Sequence, residues 1–245
     1  MLVLAIAPGA LLFLFFYLRD RYRKESWFPL TVSLLLGAIA IVPSAVCSVM
    51  LQSWTGWRSD TPSLARLFAG SLLIVGLVEE SWKFLVVRLY AYRTRDFDEP
   101  YDGIMYSVVV ALGFATLENV YYVLSRGMGT GLLRAVLAVP GHALYGVLMG
   151  YFIGAAKFSR TDVEAWLLSL AGLGAAVLAH GVYDFIVFAA ASRPLLLLAL
   201  PVFAAVGWVV IFKATRQRAE QSPYRQPALA ELERTGVKKD DSATG

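Results

Sequence analysis

The sequence predicts an all-α, polytopic helical bundle embedded in a membrane. Apolar residues make up 58% of the 245 residues and charged residues only 16%, whereas soluble domains carry about 25% charged residues. The mean hydropathy is +0.62. Runs of about 20 apolar residues, the length that crosses about 30 Å of hydrocarbon as a helix, recur along the chain. They predict about seven transmembrane helices, with eight as the upper count.

The seven runs follow one another from the N-terminal end. They cover 2–18, 28–51, 67–90, 103–124, 132–157, 165–191 and 195–213. The first run lacks the basic segment that opens a secretory signal peptide, so we expect it to remain as a helix. On alternate sides of seven spans, 16 Lys and Arg residues fall on one side and five on the other. Because these residues concentrate in cytoplasmic loops, the asymmetry predicts an N-terminus outside and a C-terminus inside the cell.

The chain divides into a transmembrane domain over 1–213 and a cytoplasmic tail over 214–245. From residue 222 the tail is rich in polar and charged residues, which predicts disorder. The net charge of +4 follows from topology, so we expect the lipid bilayer, and no nucleic acid, as a partner. Cys47 is the single cysteine and excludes an intrachain disulfide. We expect a multi-pass protein of the cell membrane, in bacteria the inner membrane.

Polar residues interrupt four of the apolar runs. They are Glu79 and Glu80 in the third run, Glu118 in the fourth, His142 in the fifth, and His180 with Asp184 in the sixth. Ionisable groups at bilayer depth are costly and therefore mark functional sites by default. Helical spacing places Lys83 one turn after the paired glutamates, Asp184 one turn after His180, and Phe114 one turn before Glu118.

Four of these groups are predicted at nearly one depth. Counted from the cytoplasmic flank of each helix, Glu80, Glu118, His142 and His180 lie roughly 20 to 24 Å into the membrane. Each also has a purely structural explanation: a self-neutralising ion pair, a hydrogen bond from Glu118 or Asn119 to a neighbouring helix, or a packed histidine. A common level on four helices favours one shared site.

Carboxylates and imidazoles that converge in a cavity suit hydrolysis. In one arrangement, His and Glu side chains hold zinc or another divalent metal with an open position for water. In the other, no cofactor is needed: a glutamate acts as general base, and histidine stabilises the oxyanion. The HExxH signature that would indicate zinc is absent from the sequence, so both arrangements remain open.

The ordered motifs resemble those of the PrsW family of intramembrane proteases, relatives of the CAAX-prenyl endopeptidase group. The matching segments are Glu79-Glu80-Ser81-Trp82-Lys83 (EExxK), Pro100-Tyr101-Asp102-Gly103-Ile104, Phe114-Ala115-Thr116-Leu117-Glu118-Asn119 (FxxxEN), Pro140-Gly141-His142 and His180-Gly181-Val182-Tyr183-Asp184. They span about 70–190. The resemblance implies cleavage of a membrane-embedded or membrane-proximal protein, such as an anti-sigma factor.

The resemblance also implies roles for individual residues. Glu79, Glu80, Glu118, His142 and His180 would be catalytic, with Glu118 in a place where many relatives have histidine. If a metal is bound, Glu80, Glu118, His142 and His180 would hold it. Lys83, Phe114, Asn119 and Asp184 would support the site by orientation and charge balance.

Two other classes of protein remain as alternatives. A proton- or metal-coupled transporter or channel would use the same acids as a relay and would need a polar path to both faces. An inactive membrane scaffold would keep the fold without the chemistry. No internal repeat of the kind found in many transporters is visible.

Overall fold

A computed structural model describes residues 2–227 and residue 230. Within them lie ten α-helices and no β-strand. The helices are α1 (Leu2–Arg19), α2 (Trp27–Ile39), α3 (Ile41–Thr55), α4 (Leu64–Gly70), α5 (Leu77–Leu89), α6 (Pro100–Arg126), α7 (Met128–Val136), α8 (Ala138–Lys157), α9 (Asp162–Ala190) and α10 (Ala199–Glu220). A π-helical segment, Ser71–Gly76, joins α4 to α5, and short 3₁₀ turns cover Ala91–Arg93 and Pro194–Leu198. The predicted all-α class is confirmed.

Six helical segments are long and apolar enough to cross a membrane. They are Leu2–Arg19, Trp27–Thr55, Pro100–Arg126, Met128–Lys157, Asp162–Ala190 and Pro194–Glu220. The run predicted at 67–90 is helical too, but it carries Glu79, Glu80, Lys83 and Arg88. Because of these charged residues, it is not one of the six segments that are long and apolar enough to cross a membrane. The count of seven or eight spans and the orientation of the termini remain predictions.

Helices α6 and α8 form the centre of the bundle. Nearly all side chains from Tyr101 to Ala115 are buried, and α8 is similarly enclosed. Gly103 on α6 and Gly150 on α8 face each other so closely that a Cβ on either one would collide with the other's backbone. This contact lets the two helix backbones approach, as small residues do in membrane proteins. The outer helices instead expose Leu, Val and Phe side chains, as expected for contact with lipid.

The π-helical segment shapes the approach to α5. A Cβ on Gly181 of α9 would lie 2.8 Å from the Cα of Leu72, so this glycine allows α9 to pack directly on the widened turn. π-Helical turns occur frequently at functional sites because they shift the register of the side chains that follow. Here the shifted residues are Glu79 and Glu80, which face His180 across the same contact.

At the predicted cytoplasmic end, acidic side chains are buried between the α1–α2 loop and the start of α6. Burial raises the pKa of Asp20 and of Glu25 to about 7, and Tyr106 donates a hydrogen bond of 2.5 Å to Glu25. Asp102 completes a capping box with Glu99 at the first turn of α6. These contacts fix the end of the helix that carries Glu118.

The C-terminal helix is longer than predicted. α10 continues to Glu220, beyond the predicted boundary at 213, and Ser222 then hydrogen-bonds Glu99 while Tyr224 contacts Arg23. Apart from residues 222–227 and 230, the tail for which disorder is predicted lies outside the described residues. The two-part division and that disorder stay predictions.

Candidate active site

The paired glutamates and Lys83 form the floor of the site on α5. The Lys83 ammonium donates hydrogen bonds to Oε1 of Glu80 at 2.7 Å and to Oε2 of Glu79 at 3.4 Å. Lys83 and Glu80 are 1% and 0% exposed, whereas Glu79 remains 15% exposed at the cavity wall. Because helical residues three and four positions apart share a face, one lysine reaches both acids. Glu80 is thus enclosed, and Glu79 faces the cavity.

His180 on α9 contacts both acids of α5. Its Nδ1 lies 2.8 Å from Oε1 of Glu80, and its Nε2 lies 3.9 Å from Oε2 of Glu79. Asp184, one turn further along α9, approaches Nε2 at 3.4 Å. The predicted pairing of His180 with Asp184 is therefore present, but Glu80 is the closer partner of the ring.

His142 on α8 bridges α5 and α6. The Lys83 ammonium lies 3.0 Å from Nδ1, and Oε2 of Glu118 lies 3.0 Å from Nε2. Since the ammonium is only a donor and the carboxylate only an acceptor, this pattern corresponds to a ring with its proton on Nε2. The two imidazoles stand edge to face with centroids 5.3 Å apart. All five predicted catalytic residues thus meet in one place, although their chemical roles stay predictions.

Four residues offer atoms that can converge on one metal ion. Glu79, Glu80, His142 and His180 each have a ligand atom, and these atoms all lie within 4.8 Å of one another. The group differs from the predicted ligand set in one member, because Glu79 stands where Glu118 was expected. Glu118 instead contacts Nε2 of His142. A carboxylate in this position orients the imidazole ring whose other nitrogen binds a metal.

The supporting residues separate into two groups. The Lys83 ammonium lies 4.2 Å above the Phe114 ring, whose centroid is 6.0 Å from that of His142, so Phe114 belongs to the site. Asn119 does not contact the site: its amide donates a hydrogen bond of 3.0 Å to the carbonyl of Ala5 on α1. One residue further along a helix rotates a side chain by about 100°, which turns Asn119 away from the face of Glu118.

Two residues of the site were missed by the sequence analysis. Tyr145 stacks on the His180 ring with centroids 4.7 Å apart, and its buried hydroxyl has no partner among the described residues. Its position three residues after His142 on α8 was the available signal. Arg134 of α7 lies 2.6 Å from Oε2 of Glu118. No helical spacing links Arg134 to Glu118. Arg134 is one of the five Lys and Arg residues assigned above to the outer side of the membrane, and that assignment gave no signal for the site.

A cavity of about 400 Å³ connects the cluster to the surface. Its wall includes side chains of six helices, among them Glu79, Glu118, Arg126, Arg134, His142, Tyr145, His180, Asp184, Phe188 and Leu200. The lining is largely apolar around a few convergent polar groups, as is usual in ligand sites. An apolar groove between α1, α2 and α6 is of similar size, about 500 Å³, and its lining contains none of the predicted catalytic residues.

Comparisons of the sequence with known proteins indicate one family. Residues 25–214 match the model of the family described as PrsW family intramembrane metalloprotease. The chain is similar to Protease PrsW of Bacillus subtilis (strain 168), with 36% identity over 87% of this chain and 94% of the relative. It is also similar to Protease PrsW of Geobacillus kaustophilus (strain HTA426), with 38% identity over 75% and 78%, and of Clostridioides difficile (strain 630), with 32% identity over 75% and 77%. No solved structure matches the chain.

Proposed function

The chain belongs to the PrsW family of intramembrane metalloproteases, and we propose that it hydrolyses peptide bonds of a membrane-embedded or membrane-proximal protein at the Glu–His cluster. One observation carries the proposal: Glu79, Glu80, His142 and His180, from three different helices, converge within 4.8 Å. Glu79, His142 and His180 line a cavity of about 400 Å³, and Glu80 is enclosed beside them. Such a set combines groups for water activation with groups for charge stabilisation.

The residues present fit the metal that the family name implies. Two imidazoles and two carboxylates form a donor set of the kind that zinc accepts, and Oε2 of Glu80 is a buried oxygen that has no hydrogen-bond partner among the described residues. Glu79, Glu80, His142 and His180 would hold the ion, with Glu118 orienting His142. When bound, a zinc ion lowers the pKa of its water towards about 7 and polarises a carbonyl group. If Nδ1 of His142 bound the metal, the Lys83 ammonium, which now lies 3.0 Å from that nitrogen, would have to move away.

The chain's own residues supply the remaining steps. In the arrangement without a metal, Glu79 is the acid of the α5 pair that faces the cavity, so it is positioned to take a proton from the attacking water. Glu80 is enclosed between Lys83 and His180 and holds both in place. The His180 ring is held by the contact of its Nδ1 with Glu80 and by stacking on Tyr145. Its Nε2 therefore faces Glu79 and Asp184.

The proposed substrate class rests on the predicted topology. With seven spans, the N-terminus outside and the C-terminus inside, Arg126 and Arg134 at the cavity rim would lie near the outer surface of the membrane. A single-pass protein that unwinds at this level, such as an anti-sigma factor, would bring an extended segment to the cluster. On the other side of the cluster, residues Val108 to Ala115 of α6 are buried in apolar packing. A transporter would need a polar path there, and this packing does not favour one.

Co-expression with a library of single-pass membrane proteins tests the proposal. We expect the wild-type chain to release a fragment from at least one member, and Glu80→Ala to abolish that fragment. Glu220→Ala is the matched control, because this acid on α10 lies at the surface, where its carboxylate pairs with Arg216. If no library member yields a fragment that depends on Glu80, the proteolytic assignment fails.

A further inference from the structure

Arg134 brings a cationic side chain into the site from a helix that is otherwise apolar. It lies in the last turn of α7, whose neighbouring side chains Leu132, Leu133 and Val136 are largely exposed. The Arg134 side chain is only 16% exposed and lines the cavity. Its guanidinium lies 4.1 Å from the centroid of the Tyr122 ring. Packing on an aromatic ring and an ion pair with Glu118 together hold the group at the cavity wall.

The guanidinium keeps a free hydrogen-bond donor although two of its nitrogens are buried. Among the described residues, neither Nε nor Nη2 of Arg134 makes a hydrogen bond. Nη2 lies 2.6 Å from Oε2 of Glu118 in an ion pair, so Nε is the nitrogen left without either kind of partner. Leaving a buried donor unsatisfied costs about 1–3 kcal/mol, and more for a charged group. A site that retains such donors is suited to an acceptor that arrives with the substrate.

The same oxygen of Glu118 contacts both Arg134 and His142. Oε2 lies 3.0 Å from Nε2 of His142, so the guanidinium is separated from the imidazole by one carboxylate. Arg134 and Glu79 line the same cavity, so a peptide bond attacked beside Glu79 can direct its carbonyl oxygen towards the guanidinium. A peptide carbonyl is an acceptor only, and the free Nε donor of Arg134 matches it.

We propose that Arg134 is a further catalytic residue that binds the carbonyl oxygen of the scissile peptide bond. In the addition step the water oxygen bonds to the carbonyl carbon, the π electron pair moves onto the carbonyl oxygen, and Glu79 takes the water proton. Arg134 stabilises the negative charge on that oxygen. The electron pair then returns, the C–N bond breaks, and the leaving nitrogen takes the proton from Glu79. Glu118 keeps the guanidinium in position. This inference rests on the proposed proteolytic function.

The experiment uses the full-length protein and the substrate found by co-expression. Loss of one donor to a developing oxyanion costs about 10²- to 10³-fold in kcat, so Arg134→Gln should lower kcat by about 100-fold or more and change KM by less than about threefold. Arg134→Lys, which keeps a charged donor, should recover part of the loss. Arg88→Gln is the matched control, because Arg88 also packs on an aromatic ring, that of Tyr92 at 3.8 Å, but does not line the cavity. It should retain kcat.

A peptide aldehyde carrying the residues that precede the cleaved bond serves as a second probe. Its hydrated form resembles the tetrahedral intermediate, so Arg134→Gln should weaken inhibition by about the same factor as kcat/KM. If Arg134→Gln also lowers the unfolding midpoint, Arg134→Lys decides: aldehyde affinity reduced tenfold or more supports the role. Wild-type kcat in Arg134→Gln, a change in KM alone, or wild-type aldehyde affinity in Arg134→Lys would overturn it. A wild-type chain that cleaves nothing would instead refute the proteolytic function itself.

Discussion

Lys83→Met removes the cation that neutralises Glu80, a fully buried acid of the bundle. Lys83 and Glu80 are 1% and 0% exposed and lie 2.7 Å apart. Breaking a buried ion pair by removing one partner costs about 3–5 kcal/mol, because the other charge is left without compensation. Methionine keeps the length and apolar character of the lysine stem, so little of this loss comes from a cavity. We therefore expect Lys83→Met to lower the free energy of unfolding by about 3–5 kcal/mol.

The measurement is denaturant or thermal unfolding of purified, chelator-treated protein in detergent. The double variant Lys83→Met/Glu80→Gln should recover most of the loss, since it also removes the uncompensated charge of Glu80. Arg58→Met is the control, because the Arg58–Asp60 pair has side chains that are 78% and 67% exposed, and it should leave the unfolding midpoint unchanged. A Lys83→Met protein within about 1 kcal/mol of wild type would show that Glu80 does not depend on this ammonium.

Three further outcomes are expected. Asp184→Ala should lower proteolytic activity by about tenfold, at the weak end for orienting residues, because His180 keeps its closer contact with Glu80 at 2.8 Å. His180→Ala should abolish activity, and equal losses in the two variants would make Asp184 a direct participant. Purified protein should carry about one zinc per chain. Glu118→Gln should weaken zinc affinity by about 10- to 100-fold, because the variant no longer orients His142. Full activity in verified metal-free protein would decide for the mechanism in which a glutamate activates the water. Burial raises the pKa of Asp20 and Glu25 to about 7, so the folded state holds more protons than the unfolded state from about pH 4 to 7, and stability should fall as the pH rises through that window. Asp20→Asn combined with Glu25→Gln should flatten this dependence, and an unfolding midpoint that is higher at pH 8 than at pH 5 would contradict it.

The sequence predicted the helices because the bilayer imposes one strong rule, an apolar run of fixed length. It did not predict their internal breaks. The run at 132–157 forms α7 and α8, with a break at Leu137, and the run at 28–51 lies within α2 and α3, which meet at Ala40. Hydropathy does not detect such breaks, because the helical segments on both sides of each break are apolar. The extension of α10 to Glu220 lies in a polar segment, where hydropathy gives no signal for a helix.

Contacts within one helix were predictable, and contacts between helices were only partly so. The spacing of Lys83 relative to the paired glutamates gave the ion pairs on α5 directly. A shared depth gave the convergence of four helices, but it contained no information about how each helix is rotated about its axis. Rotation decides that Glu79, rather than Glu118, belongs to the four candidate metal ligands, and that Asn119 faces α1. It depends on packing contacts such as Gly181 against Leu72.

The charges of the site give an argument for a divalent ion that is independent of ligand geometry. Four carboxylates meet there, from Glu79, Glu80, Glu118 and Asp184, and two cations, Lys83 and Arg134, contact three of them directly. With neutral histidines and ionised acids the cluster carries two negative charges in excess, which is the charge that one zinc ion neutralises. Uncompensated carboxylates in the apolar part of a bundle are strongly unfavourable. Metal binding at this cluster should therefore stabilise the fold as well as supply chemistry, because metal that binds only the folded state adds its binding free energy to folding.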